Sequence, residues 1–205
     1  MAQQASEWWQ SLTWQPGQGG VPPSTPPAGQ PTNADEIHRA MFAKMADTPP
    51  PTQRSVPDYP GASAFVQGMI KRGWSPQEAA GAAGNVHVES GFRPEVKSSS
   101  PKEQSYGFMQ WNHERLAGLK NMAEARGADW TDPEVQMDYI NMERTGESKK
   151  FGGSDERSAY RRAFEDGGSA SEIAERFGRY VERPWRLADS LEIRKLAAEQ
   201  YFAGV

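Results

Sequence analysis

The sequence predicts an all-α domain that follows an extended arm rich in proline and glycine. Eleven of the 16 prolines lie in residues 1–60, where they block helix interiors and sheet ladders and favour extended segments. From residue 61 onward, apolar residues recur at helical spacing between helix start and stop signals, and no run has the alternation of a strand. We therefore expect an arm over residues 1–60 and one helical domain over residues 61–205.

Within the arm, residues 35–46 are the stretch with helical periodicity. A helix this short is only marginally stable on its own. Trp8, Trp9 and Trp14 form an apolar cluster of the kind that usually buries against a partner protein or the parent domain. We expect the arm to dock against a partner, with simple disorder as the alternative.

The helices of the domain are predicted from their capping residues. Ser75 precedes Pro76, and Glu78 follows three positions after Ser75, which makes a capping box with proline in the first turn. Ser169 and Glu172 form a second box. The predicted helices cover residues 61–72, 76 to the glycine cap at 91, 112–126, 131 or 132 to 143, 154–165, 169–181 and 187–202.

Composition excludes several classes of protein. The formal net charge of −4 leaves no cationic surplus for a nucleic acid backbone. No apolar stretch is long enough for a membrane span, and the first residues lack the charged and apolar regions of a signal peptide. The chain has no cysteine, so disulfides and thiolate chemistry are absent. Neither nucleic acid nor membrane is an expected partner.

One glutamate has an unusual position. The helix from Pro76 carries a stripe of small apolar residues, and Glu89 takes the next place on that stripe. Burial and the negative end of the helix dipole both favour the neutral carboxyl there. A neutral carboxyl is the form that a general acid needs to protonate a glycosidic oxygen. The alternative is a solvated carboxylate on a slightly rotated stripe, and spacing alone favours it because most glutamates are exposed.

Two longer strings favour the catalytic interpretation. Residues 83–94 read AGNVHVESGFRP and residues 105–111 read SYGFMQW. They resemble the glutamate motif and the Gly-x-Met-Gln motif of soluble lytic transglycosylases and goose-type lysozymes, and in particular those of the phage tail lysozyme family. A looser likeness continues through residues 136–139 and 180–184, so the resemblance covers residues 61 to about 203. It implies a lysozyme-like fold.

The resemblance also implies roles for individual residues. Glu89 is the expected proton donor, and Ser90 is expected to fix the end of its helix. Gln110 and the backbone around Tyr106 and Gly107 are expected to line the cleft that holds the acetylamino sugar beside the scissile bond. All of these are assigned to catalysis or substrate binding.

Further site residues are assigned with open alternatives. Trp111 offers a flat face for a sugar ring, with core packing as an equal alternative. Tyr180 stands where transglycosylases place a tyrosine that contacts the catalytic glutamate, although the usual Tyr-Asn pair reads Tyr-Val here. Candidate second carboxylates are Glu182, Asp138 and Glu143, each of which a helix-surface role would also explain. If none of them acts, the muramoyl 6-hydroxyl closes on the anomeric carbon, and we favour the resulting 1,6-anhydro product over hydrolysis.

No cofactor or metal is expected. Residues 87–89 match the first three positions of a zinc deaminase signature, but the cysteines that this signature requires are absent. His87 and His113 are scattered histidines, which are more often packed or exposed than metal-bound.

The resemblance implies a virion-associated lysozyme or lytic transglycosylase that cleaves the MurNAc–GlcNAc bond of the peptidoglycan glycan strand during phage genome entry. Such an enzyme is carried in the virion and acts in the host cell wall or periplasm. Its expected protein partners are tail or internal core proteins, contacted through the arm. Two alternatives remain: a catalytically inactive structural virion protein with the same fold, and a host-lysis endolysin, which usually carries a wall-binding module unlike this arm.

Overall fold

The computed structural model describes residues 56–98, 104–184 and 187–205. Within these ranges the chain is all-α, with no strand and two isolated β-bridges, so the predicted fold class is confirmed. The predicted arm up to residue 55, including its helix over residues 35–46, lies outside the described residues. The helices are α1 (Ala62–Lys71), α2 (Pro76–Glu89), α3 (His113–Ala125), α4 (Pro133–Thr145), α5 (Arg157–Phe164), α6 (Ala170–Phe177) and α7 (Leu187–Ala203); a 3-10 helix (Glu147–Phe151) precedes α5 and a π-helical turn (Gly178–Glu182) follows α6.

Both predicted capping boxes are confirmed. The Ser75 hydroxyl accepts a hydrogen bond from the backbone N–H of Glu78 at 3.2 Å, and the Glu78 carboxylate accepts one from the backbone N–H of Ser75 at 2.8 Å. Pro76 occupies the first position of α2. Ser169 and Glu172 cap α6 in the same way. These starts are predictable because each box is complete within four consecutive residues.

Several helix boundaries differ from the prediction; for example, α5 begins at Arg157 and not at the expected residue 154. α4 continues two residues beyond the expected end and stops at Gly146, which has a left-handed φ of 80°. The 3-10 helix over Glu147–Phe151 was not predicted, because so short a helix has no periodic apolar pattern. α6 ends at Phe177, where the prediction continued a helix to Val181, and the π-helical turn takes its place.

α2 is the central helix of the domain. Every residue from 79 to 88 is buried, and the helix packs against α1, α6 and α7. Two glycines allow this close approach. A Cβ on Gly84 would collide with the carbonyl oxygen of Arg194, and one on Gly81 would lie 2.5 Å from the Ile173 side chain. The end of α2, where Glu89 stands, is therefore held firmly in place by helices on several sides.

The last residues of the predicted arm pack against the domain. Val56 is buried, and its backbone N–H donates to the Gln200 side chain of α7 at 3.1 Å. The Tyr59 ring lies 4.7 Å from the ring of His87. The core therefore includes side chains from residues 56–60. Among the residues described, no helix combines the length and the apolar character that crossing a bilayer needs.

Candidate active site

Glu89 is the last residue of α2, and its carboxylate is ion-paired. Oε1 accepts a hydrogen bond from Nη2 of Arg194 at 2.6 Å, and the Glu89 side chain is 14% exposed. α2 ends here because Ser90 caps it and Gly91 takes a left-handed φ of 58°. The carboxylate thus stands at the edge of the core with limited access to solvent.

Arg194 is a cation on the inner face of α7, and its side chain is 1% exposed. Nε donates to the Ser190 hydroxyl at 3.0 Å, and Nη1 donates to the Asn85 side-chain oxygen at 2.7 Å. This arginine was not predicted as a site residue from the sequence. In the sequence, Arg194 lies on a stripe of α7 residues spaced three and four positions apart. The structure buries this whole stripe, whose other members are Ser190, Ile193, Ala197, Ala198 and Tyr201.

Glu182 is the second carboxyl of this site. It lies in the π-helical turn after α6, and its Oε1 is buried with no hydrogen-bond partner among the described residues. Burial raises the pKa of Glu182 well above its ordinary value, the negative charge of Glu89 raises it further, and Arg115 and Arg194 act in the opposite direction. Glu182 therefore keeps its proton to a higher pH than an exposed glutamate does.

Glu143 has a different environment. It is fully buried on α4 and forms a two-pronged ion pair with Arg115, at 2.7 Å from Nε to Oε1 and 2.9 Å from Nη2 to Oε2. Oε2 also accepts hydrogen bonds from the Trp111 indole at 3.3 Å and the Tyr160 hydroxyl at 3.1 Å. Both oxygens are therefore engaged in holding α3, α4 and α5 together.

Asp138 belongs to an ion-pair network at the protein surface. Its Oδ1 accepts hydrogen bonds from Nε and Nη2 of Arg72, at 2.9 and 2.6 Å, and its Oδ2 accepts one from Arg126 at 2.5 Å. The Asp138 side chain is 38% exposed. This network joins α4 to the ends of α1 and α3.

The loop between α2 and α3 holds four of the expected substrate-binding residues. The hydroxyl of Ser90, which is itself buried, donates to the Phe108 carbonyl at 3.1 Å and so ties the end of α2 to this loop. Gln110 is partly exposed, and its amide donates to the Gly107 carbonyl at 3.1 Å. Trp111 is fully buried, which leaves no free face for a sugar and agrees with the core-packing alternative.

Tyr106 forms part of an aromatic and cationic cluster. Its partly exposed ring meets the Trp130 ring edge to face, with centroids 5.8 Å apart. The ammonium groups of Lys97 and Lys120 lie 5.6 and 5.3 Å from the centre of the Tyr106 ring. Trp130 and both lysines were not predicted from the sequence, because nothing in their local sequence marks them as neighbours of Tyr106.

Tyr180 lies in the same π-helical turn as Glu182. Its ring is partly buried, and the Arg162 guanidinium lies 5.9 Å from the ring centre. The Tyr180 hydroxyl forms no hydrogen bond with the side chains or carbonyls of the described residues, so no such bond links it to Glu89. The carboxyl that interacts electrostatically with Glu89 belongs to Glu182, two positions further along.

The histidines have separate environments. His87 is buried, with Nδ1 2.5 Å from the Tyr201 hydroxyl, and His113 is exposed at the start of α3. Across the described ranges, no group of three or more His, Asp or Glu side chains is arranged to hold a metal ion.

The domain is an all-α protein whose central helix ends in a glutamate, beside a buried arginine and a second carboxyl. The model of the phage tail lysozyme family matches residues 61–204, and the chain belongs to that family. Comparison with curated proteins gave no match. The matched range contains α1 to α7 and both sequence motifs. Family membership supports a lysozyme-like bacteriophage protein that acts on peptidoglycan.

Proposed function

We propose that this protein cleaves the MurNAc–GlcNAc bond of peptidoglycan, with Glu89 as the general acid. The observation that carries the proposal is the joint environment of Glu89 and Glu182, in which two interacting carboxyls lie next to one buried arginine. Burial and the negative charge of Glu89 raise the pKa of Glu182, so Glu182 keeps its proton to a higher pH. Glu89 is the proton donor in this proposal, because it holds the glutamate position of the motif and its side chain is 14% exposed.

The reaction then proceeds in two steps. Glu89 protonates the glycosidic oxygen as the bond to the anomeric carbon breaks, which leaves an oxocarbenium-like centre on the MurNAc residue. The 6-hydroxyl of the same sugar attacks this carbon and returns its proton to the Glu89 carboxylate. The products are a shortened strand with a free 4-hydroxyl and a 1,6-anhydro end.

The other carboxylates support ring closure rather than attack by water. Hydrolysis needs an ionised carboxylate that activates water or attacks the sugar. Both carboxylate oxygens of Glu143 accept hydrogen bonds from Arg115, and the carboxylate of Asp138 is ion-paired in a network at the surface. Burial and the negative charge of Glu89 raise the pKa of Glu182, so this carboxyl keeps its proton to a higher pH and is less available in the ionised form that activates water.

Mass spectrometry of the sugars released from purified sacculi tests this proposal. We expect 1,6-anhydro ends in the wild-type digest, and we expect Asp138→Asn to release the same products at a rate within about twofold, because surface ion pairs contribute little. The Glu89→Gln protein provides the control for contaminating activity. Release of reducing ends instead would identify a hydrolase and require a second catalytic carboxylate.

The proposed setting is the virion, from which the enzyme opens the host cell wall locally during genome entry. In this proposal the arm is the tether to a neighbouring tail or internal core protein, because it carries a tryptophan cluster and lies outside the matched range.

Deleting residues 1–55 is therefore expected to leave peptidoglycan cleavage within about twofold of wild type, because both sequence motifs lie beyond residue 80, and to prevent incorporation into particles. The measurement is sacculus digestion by the purified fragment, together with immunodetection of the variant in purified virions. An inactive fragment with an intact helical circular dichroism spectrum would instead assign the arm to the active site.

A further inference from the structure

The guanidinium of Arg194 is buried, and this needs a physical explanation. Removing a charge from water is costly unless its partners compensate fully. Every nitrogen of this guanidinium has a partner: Ser190 on its own helix, and Asn85 and Glu89 on α2. The ion pair therefore places a buried cation against a single carboxylate, that of Glu89, at the edge of the core.

The support around the guanidinium is rigid. Asn85 donates through its amide to the carbonyls of Gly81 and Ala174, both at 3.0 Å, so its side-chain oxygen has a fixed direction. A Cβ on Gly178 would lie 3.0 Å from that oxygen, which shows how closely the π-helical turn packs against it. Three elements, α2, α6 and α7, therefore fix the orientation of Arg194.

We propose that Arg194 is the positioning residue for Glu89, holding Oε1 so that Oε2 faces the glycan and stabilising the carboxylate as its proton leaves. This inference rests on the proposed function of Glu89. Oε1 is engaged by Arg194 at 2.6 Å, whereas Oε2 forms no hydrogen bond with the described residues. A planar guanidinium sets the direction of a carboxylate in a way that the flexible ammonium of lysine does not.

The charged groups around the carboxyl pair come from five elements. They are Glu89 of α2, Arg115 of α3, Glu143 of α4, Glu182 of the π-helical turn and Arg194 of α7. Arg115 is bound at two points by Glu143, so Arg194 is the cation in direct contact with Glu89. A cation favours ionised carboxyls, and its loss should therefore let the pair keep its proton to a higher pH.

Two variants of the full-length protein distinguish the orienting effect of Arg194 from the effect of its positive charge. Arg194→Lys keeps the charge but not the planar guanidinium, and Arg194→Gln removes the charge. For Arg194→Lys we expect kcat to fall about 10- to 100-fold, because a misplaced catalytic group costs rate. KM and the pH profile should remain as in wild type. For Arg194→Gln we expect at least the same loss, with the alkaline limb of the kcat profile raised by about one pH unit or more. Arg126→Gln, which removes an exposed arginine from the Asp138 network, is the matched control.

Two further measurements keep the inference testable if Arg194→Gln does not fold or the wild type does not cleave. Ser190→Ala removes only the partner of Nε, and we expect a smaller fall in kcat with an unchanged pH profile. Carboxyl carbon NMR titration follows the Glu89–Glu182 pair without substrate, and its apparent pKa values should rise in Arg194→Gln. Inactivity of the wild type would refute the proposed function alone. Wild-type kcat in Arg194→Lys, or unshifted titrations in Arg194→Gln, would refute the role of Arg194.

Discussion

Replacing Glu89 with glutamine is expected to lower kcat for peptidoglycan cleavage by about 10²- to 10⁴-fold, the usual contribution of general acid catalysis. The amide keeps the shape of the side chain but has no proton acidic enough to give to a glycosidic oxygen. Clearing of a sacculus suspension, read as initial rate, measures this effect. The matched control is Glu95→Gln, which changes an exposed glutamate six residues further along. Turnover of Glu89→Gln at the control rate would contradict the assignment.

The same variant also has an expected effect on stability. Considered alone, the position of Glu89 at the end of a buried helix predicts that glutamine increases stability, because the substitution removes a carboxyl that is costly to bury. The ion pair reverses this expectation, since glutamine leaves the buried Arg194 without its countercharge. We expect the free energy of unfolding to fall by about 1–3 kcal/mol, the cost of losing a hydrogen bond between charged groups. Urea denaturation at neutral pH measures it.

Replacing Glu143 with glutamine is expected to have the largest effect on stability. Its carboxylate is fully buried and neutralises Arg115, whose side chain is only 11% exposed. Removing one member of a buried ion pair typically costs about 3–5 kcal/mol. Thermal and urea unfolding measure the change. Glu147→Gln, which removes an exposed partner of Lys150, should change the free energy of unfolding by less than about 1 kcal/mol.

A paired replacement tests whether charge is the cause. Substituting Glu143→Leu together with Arg115→Met removes both charges and should restore part of the lost stability, because buried ion pairs can often be replaced by apolar residues. A double variant no more stable than Glu143→Gln would show that the hydrogen bonds from Trp111 and Tyr160 dominate instead.

The helices were predictable where their signals are local. The capping boxes at Ser75 and Ser169 fixed the starts of α2 and α6, because the interacting atoms lie three residues apart. For α2, the sequence predicted a single buried stripe of small apolar residues. The structure buries its other faces too, including the polar Asn85 and His87, because helices pack on several sides of it. A periodicity argument cannot show how many neighbours a helix has.

The candidate site was predictable only in part, for a related reason. Glu89 could be selected from its place on a stripe and from its motif. Its partner Arg194 is 105 positions away in the sequence, and no local pattern reports a contact over that separation. Among the three candidate second carboxylates, only the tertiary arrangement separates Glu182, near Glu89, from Glu143 in its buried ion pair.

The packing of α7 on α2 determines when, during synthesis of the chain, the proposed active site can form. The glutamate is synthesised before the arginine that holds it, which belongs to the last helix described. Contacts between such distant segments form late, because a long loop of chain must first close. A ribosome-bound or prematurely terminated chain therefore contains the acid without its support. The proposed glycan-cleaving site is therefore complete only when the whole domain has been synthesised and α7 has packed on α2.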